Sequence, residues 1–248
     1  MRGFGILLLP ILLLLAGCAG GPRPRAVPAH DVEPWEIPEA VFHSQRLYRI
    51  HYAGPEGEGS FRVTLRLATP ERYQLQAVDP VGRSLWSLDV DQNRGLFLNH
   101  RSRSSCIFEG SFALTGVSLG PFPLLALPTL LVGRLPAQPA GEAETQGGQV
   151  SFRDSAGRLW TAVVGGDGIL SSWNMKDGGG PSLLWVRSEG WAILSDRERD
   201  VQVRWREVLG EKAEGEIATL AVPAGYREGP CREPDLPEEQ EPAPPGAS

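Results

Sequence analysis

Residues 61–68 read Phe61-Arg62-Val63-Thr64-Leu65-Arg66-Leu67-Ala68. A little further on come Tyr73-Gln74-Leu75-Gln76-Ala77-Val78, the turn Asp79-Pro80-Val81-Gly82, and Trp86-Ser87-Leu88-Asp89-Val90. Apolar and polar side chains alternate with period two on both sides of a Pro-Gly turn, which is the pattern of half-buried antiparallel strands. Working outward, Leu47–Tyr52 precedes this stretch across the glycine-rich turn Gly54–Gly59, and Leu96–Asn99 follows it across Asp91–Gly95. Later strands are expected at Arg158–Val164, Ile169–Asn174, Ser182–Arg187, Val201–Val208 and Ile217–Val222, with Asp196–Asp200 a solvated turn. Turn signals every 8–12 residues or so point to a meander curling into a barrel or sandwich.

One segment departs from the period. Phe122–Leu135 is apolar around most of its circumference, and its first charge is Arg134. Pro128 argues against one straight helix, so one or two short helices are expected, enclosed by the curved sheet or lying across its mouth. A strand is the competing reading.

Composition removes several functions. The 248 residues hold 30 Gly, 22 Pro, 3 Cys and 4 His, with a net charge of −6. Such a chain is no disulfide-dense scaffold and no long helical bundle, and it has too few histidines for a His-built metal site. Its acidic balance argues against nucleic acid as a partner. The glycine runs 165–168 and 178–180 lack the Lys-Ser/Thr of a phosphate loop, and no Gly-x-Ser-x-Gly elbow occurs. His100 and Cys106 have no third orienting group, and His43 and His51 have no ligand companions, so no enzyme, metal or cofactor is expected. After Cys18, the remaining cysteines, Cys106 and Cys231, are bridged or free on equal terms.

The ends carry the address. Met1-Arg2-Gly3 followed by apolar residues 4–15 is a secretory signal, too short to span a bilayer. Leu15-Ala16-Gly17-Cys18 resembles the lipobox of bacterial lipoproteins, which implies cleavage after residue 17 and lipid attachment at Cys18. Acyl chains there hold a protein on a membrane, and Ala19 in place of aspartate favours the outer one. Residues 18–40 read as a proline-rich, unpacked tether and 41–228 as the folded domain. Residues 229–248 read as an acidic, proline-rich, disordered tail.

Three features together resemble the LolA/LolB family, and LolB-type outer-membrane lipoproteins in particular. They are the lipobox with its tether, the run from Tyr73 to Leu85 around Pro80-Val81-Gly82, and the motifs Leu114-Thr115-Gly116-Val117, Phe122-Pro123-Leu124 and Val132-Gly133-Arg134-Leu135-Pro136. The likeness covers about residues 40–225. It implies a mainly β, α+β fold, namely an unclosed antiparallel β-barrel with short internal or lid helices. It also implies a monomer on the periplasmic face of the outer membrane, which takes the acyl chains of client lipoproteins from a LolA-like carrier. Pro80, Val81 and Gly82 would then form a membrane-insertion loop, although Val81 can also fold back on the rim. Phe61, Val63, Leu65, Leu75, Trp86, Leu88, Leu124, Leu125 and Trp160 would line the acyl cavity. The tryptophans, Trp173, Trp185, Trp191 and Trp205 among them, serve equally as core anchors. The chain departs from the family in Pro128, in the small size of Val81 and in the acidic tail. The alternative is a structural or assembly lipoprotein with the same fold, a filled barrel and a protein partner.

Overall fold

The computed structural model describes residues 33–231 except 56, 113–121, 179–181 and 214. Cys18, the signal, most of the tether, the Leu114-Thr115-Gly116-Val117 motif and residues 232–248 lie outside the described residues.

Six strands form a first meander: β1 (Ser44–Gly54), β2 (Gly57–Thr69), β3 (Arg72–Val78), β4 (Ser84–Asp91), β5 (Arg94–Asn99) and β6 (Ser104–Glu109). A short pair, β7 (Ser111–Phe112) and β8 (Phe122–Pro123), leads to helix α1 (Ala126–Leu131). A second meander holds β9 (Glu144–Gln146), β10 (Gln149–Arg153), β11 (Leu159–Val164), β12 (Leu170–Lys176), β13 (Ser182–Ser188), β14 (Trp191–Asp196) and β15 (Val201–Lys212). The chain then adds β16 (Arg227–Glu228).

Among the described residues, all but β7 and β8 join one sheet of order β16-β6-β5-β4-β3-β2-β1-β15-β14-β13-β12-β11-β10-β9. The two meanders are joined along β1 and β15, which pair antiparallel from Ser44↔Lys212 to Ala53↔Gln202 with a bulge at Leu47/Tyr48. The end strands β16 and β9 do not pair, so the curved sheet is an unclosed barrel, as the resemblance implied. The connection from β6 to β9 runs from one edge of the sheet to the other and carries α1 with it.

The period-two reading explains the core. Cross-strand partners Leu65, Leu75, Leu88, Phe97 and Cys106 make a buried row across five strands of the inner face. Each such side chain contributes about 1.5–3 kcal/mol on burial.

Helix α1 exists despite Pro128 because that residue lies in the first turn, where its missing N–H has no intrahelical acceptor to lose. The helix ends in a Schellman motif: Arg134 N donates to Thr129 O and Gly133 N to Leu130 O. Gly133 takes φ +75°, and a Cβ there would meet the Arg187 guanidinium.

Several expectations need correction. Residues 33–38 are not an unpacked tether: Trp35 and Ile37 pack on the core, Trp35 meets Phe152 edge-on, and Pro34 O accepts from Leu135 N. Apolar side chains among the prolines outweigh the tether-like composition. Ile217–Val222 is not a strand. It crosses the outer face of β3 and β4 as a strap, because buried polar side chains there bind its backbone in place of a ladder. Arg72 Nη2 donates to Ile217 O, Gln74 Nε2 to Ala218 O, and Leu220 N to Asp89 Oδ2. The strap continues through β16, where Gly229 N donates to Ser105 O, and ends on the Cys106–Cys231 disulfide, so the folded body extends to residue 231. In the Asp196–Asp200 turn, residues 197–200 are exposed. Asp196 is buried instead, because its Oδ1 accepts from Glu198 N and Arg199 N. Strands β6, β9, β10 and β14 add to the expected set; β6, β9 and β14 carry no clear alternation, whereas Gln149-Val150-Ser151-Phe152-Arg153 of β10 alternates in sequence and in burial.

Candidate functional site

The inner face and the helix over it are the candidate site. Leu124, Leu127, Leu130 and Leu135 point into the sheet. The helix is held at both ends by side chains from different halves of the sheet. Tyr73 on β3 donates its hydroxyl to Leu124 O at 2.6 Å, and Trp205 on β15 donates Nε1–H to Leu131 O at 3.2 Å. Burial pushes the Tyr73 hydroxyl far above the usual phenol range, so it remains a neutral donor. Tyr73→Phe removes one of the two donors to Leu124 O, the other being Leu127 N–H, and is expected to cost about 0.5–1.5 kcal/mol in urea unfolding. A loss below a few tenths would show that the clamp carries no load.

Of the expected lining residues, Val63, Leu65, Leu75, Leu88, Leu124 and Trp160 share this buried cluster, and Phe61 and Trp86 flank it half-buried. Leu125 does not belong: at the helix N-cap its side chain turns outward and is 38% exposed.

The second meander supplies a ladder that the lining reading lacked. Trp160, Trp173 and Trp185 succeed one another at 5.2 and 6.4 Å between ring centroids, the last pair stacked, and Phe152 stacks on Trp160. The Nε1–H of Trp160 donates to Asp154. The Nε1–H groups of Trp173 and Trp185 are buried and have no acceptor among the described residues. Native cores leave few such donors unpaired, and Tyr48 Oη and Ser105 Oγ are in the same state among the described residues.

The Val81 tip is built as a rigid projection. Asp79 Oδ1 accepts from Val81 N and Arg83 N, and Oδ2 accepts from Arg83 Nε at 2.6 Å. Desolvation pushes the Asp79 carboxyl up, but the Arg83 and Val81 N–H groups and the Arg83 guanidinium outweigh it, and the group sits below its usual range. Gly82 takes φ +90°, and Val81 is 77% exposed, so it does not fold back on the rim.

Residues 154–158, Asp-Ser-Ala-Gly-Arg, repeat this turn bond for bond. Asp154 Oδ1 accepts from Ala156 N and Arg158 N, Oδ2 accepts from Arg158 Nε, and Gly157 takes φ +78°. Both turns lie at the same end of the sheet, as the antiparallel registers require. The signal is present in sequence as Asp-x-x-Gly-Arg before Ser-Leu-Trp at 84–86 and before Leu-Trp at 159–160.

The strap has a titratable pin. His100 Nε2 lies 2.8 Å from Ser87 Oγ, and its Nδ1 lies 2.6 Å from the Tyr226 hydroxyl. Desolvation holds this imidazole below its ordinary value of 6.5. The unfolded chain therefore takes up the proton first, and the contribution of the pin is present above pH 6.5 and lost as pH falls through the lowered value. Amide protection at Leu220 and Gly229 should fall below about pH 6.5 in the wild type but not in His100→Gln. An equal pH response in both would remove His100 from the account. The same contacts answer the dismissed pairing: Cys106 is in a disulfide, and His100 serves the strap.

These features define an open antiparallel half-barrel with a clamped internal helix. That is the fold of a LolA superfamily protein from Nitrosomonas europaea, which superposes with a TM-score of 0.51 at 10% identity over 74% of this chain and 90% of that one. Two likenesses are more distant. One is an uncharacterized conserved protein from Thermus thermophilus, with a TM-score of 0.36 at 11% identity over 77% and 93% of the two chains. The other is an outer membrane lipoprotein-sorting protein domain from Vibrio parahaemolyticus, with a TM-score of 0.36 at 7% identity over 72% and 88%. Of these three, the first is close enough to define the fold. No protein-family profile matches the sequence, and neither does any curated protein.

Proposed function

We propose that this chain is an envelope lipoprotein, lipid-anchored through Cys18. It binds acyl chains against the inner face of its half-barrel, receives client lipoproteins from a LolA-like carrier and inserts them in the outer membrane. Binding and release need no covalent step, nucleotide or metal. The observation that carries this reading is the apolar inner face with two buried indole N–H groups, at Trp173 and Trp185, that have no acceptor among the described residues. An acyl ester brings both halves of the complement: a chain for the apolar wall and a carbonyl oxygen for the indoles. The resemblance and the LolA-type fold agree with it.

The competing reading is a structural or assembly lipoprotein with a filled barrel. It is favoured by how fully Leu65, Leu88, Leu124, Leu135 and Trp160 are enclosed by the protein's own side chains. Depleting the protein in cells separates the two. Lipoproteins accumulating on the periplasmic carrier support transfer, whereas normal sorting leaves only the structural role. In vitro, the purified protein should take up an apolar dye that an acylated lipopeptide displaces.

Val81 provides the second test. Removing the gain from burying one valine, about 1.5–3 kcal/mol, and adding a charge should cut insertion about tenfold or more in Val81→Glu. Dye uptake should be unchanged, because the tip is remote from the inner face. Unaltered insertion would leave the projection without this role.

A further inference from the structure

The outer face of β2, β1 and β15 carries a cationic patch that the acyl-binding reading does not use. Register places Arg62, Arg49 and Arg206 in one cross-strand row, and His51 with Arg204 in the next. Trp191 on β14 lies beside both rows: the guanidinium of Arg206 is 4.7 Å from its ring centroid, that of Arg204 5.4 Å, and the His51 ring meets it edge-on. His51 records the crowding. Desolvation and then Arg204, Arg49 and Arg206 hold its ring below the usual imidazole range. Among the described residues these two rows contain no carboxylate. Glu58 lies in the adjoining row and Glu189 in the turn before Trp191, while Glu207, next to Arg206 on β15, is engaged by Arg46. Four arginines with two guanidiniums spread on an indole form an ordered cationic surface suited to an extended anionic chain.

We infer that this arginine face is the docking surface for the chain's own acidic segment, residues 232–248. Charge and reach select that occupant. The segment carries five carboxylates against one arginine, and its prolines favour an extended chain. It starts at Cys231, which the disulfide holds on β6. From β6 the row through Cys106, Phe97, Leu88, Leu75 and Leu65 reaches Arg46 on β1, five strands away, or about 24 Å at ~4.8 Å per strand. The patch is centred three residues along β1 from that row, at Arg49, about 10 Å further. The two offsets are perpendicular, so the path along the sheet surface is about 26 Å. Glu238 and Glu241, seven and ten residues beyond Cys231, reach about 23 and 33 Å in extended chain. The cluster Glu238, Glu239 and Glu241 thus brackets the arginine rows.

The test is paramagnetic broadening in the full chain carrying Cys18→Ser, with the Cys106–Cys231 bond intact and a nitroxide on Gln240→Cys. At low salt the amides of Arg49, Arg62, Arg204 and Arg206 and the Trp191 indole should lose intensity, while those of β9 to β12 keep theirs. The loss should disappear in about 1 M salt, where the screening length is about 3 Å. It should disappear as well in Glu238→Gln/Glu239→Gln/Glu241→Gln, which leaves the folded body untouched. No selective loss at low salt overturns the inference, as does a loss that survives the glutamine changes. A loss that fades on dilution assigns the face to a second copy of the chain, which also overturns it.

Discussion

Cys106→Ala/Cys231→Ala is expected to lower the unfolding free energy by about 2–5 kcal/mol. The bond joins residues 125 apart in sequence, so it removes an unusually large loop from the unfolded ensemble. It also fastens the last residue of a strap that is otherwise held by hydrogen bonds to Arg72, Gln74 and Asp89, by the His100–Tyr226 contact and by the short pairing of β16 with β6. Urea titrations of the variant, and of the wild type with and without reductant, should agree. Proteolysis should then begin in residues 213–231 while the sheet persists. Equal stability of oxidised and reduced protein would mean that the strap contributes nothing to the fold.

Asp154→Ala is the second large change, at about 3 kcal/mol. The carboxylate is buried and accepts from Ala156 N, Arg158 N, Arg158 Nε and Trp160 Nε1, so its removal strands four donors and frees the first indole of the tryptophan ladder. Desolvation pushes this carboxyl up, but the hydrogen bonds of Trp160 and Arg158 outweigh it and the group lies below its usual 3.8. Its contribution is therefore complete above about pH 4 and is lost as pH falls further, through the lowered value. The wild type should lose stability in that window, and Asp154→Ala should lose less. Asp79→Ala, in the matching turn, is expected to cost distinctly less, because Arg83 is mostly in water whereas Arg158 is not. Equal costs for the two would contradict the burial argument.

Legibility in the sequence differs from residue to residue. Val63, Leu65 and Leu67 alternate with Thr64 and Arg66, and that period alone places them on one buried face. The Asp79–Gly82 turn is equally readable, because proline and glycine restrict the backbone locally. Its twin at 154–158 is not, although the letters are there, since a single Asp-x-x-Gly-Arg means little until a second one makes the same bonds. Residues 217–222 of the strap read as a strand for a physical reason: apolar alternation says which side chains seek burial, not which groups bind the backbone. Leu125 reads as lining because an all-apolar helix does not announce which residue turns outward at its cap. The tryptophan ladder escapes as a unit because Trp160, Trp173 and Trp185 come from three strands, and only register stacks them.

The sequence by itself determined the local rules: period-two strands, tight turns, a short apolar helix and a resemblance to lipoprotein-handling half-barrels. Those follow from interactions between residues close along the chain. Tertiary structure alone decided that β15 pairs with β1 and that β9 and β16 are the free edges. It also decided that Tyr73 and Trp205 clamp the helix from opposite halves, and that Cys231 finds Cys106 across 125 residues. Each of these joins residues far apart in sequence, and such contacts depend on how the whole sheet curves.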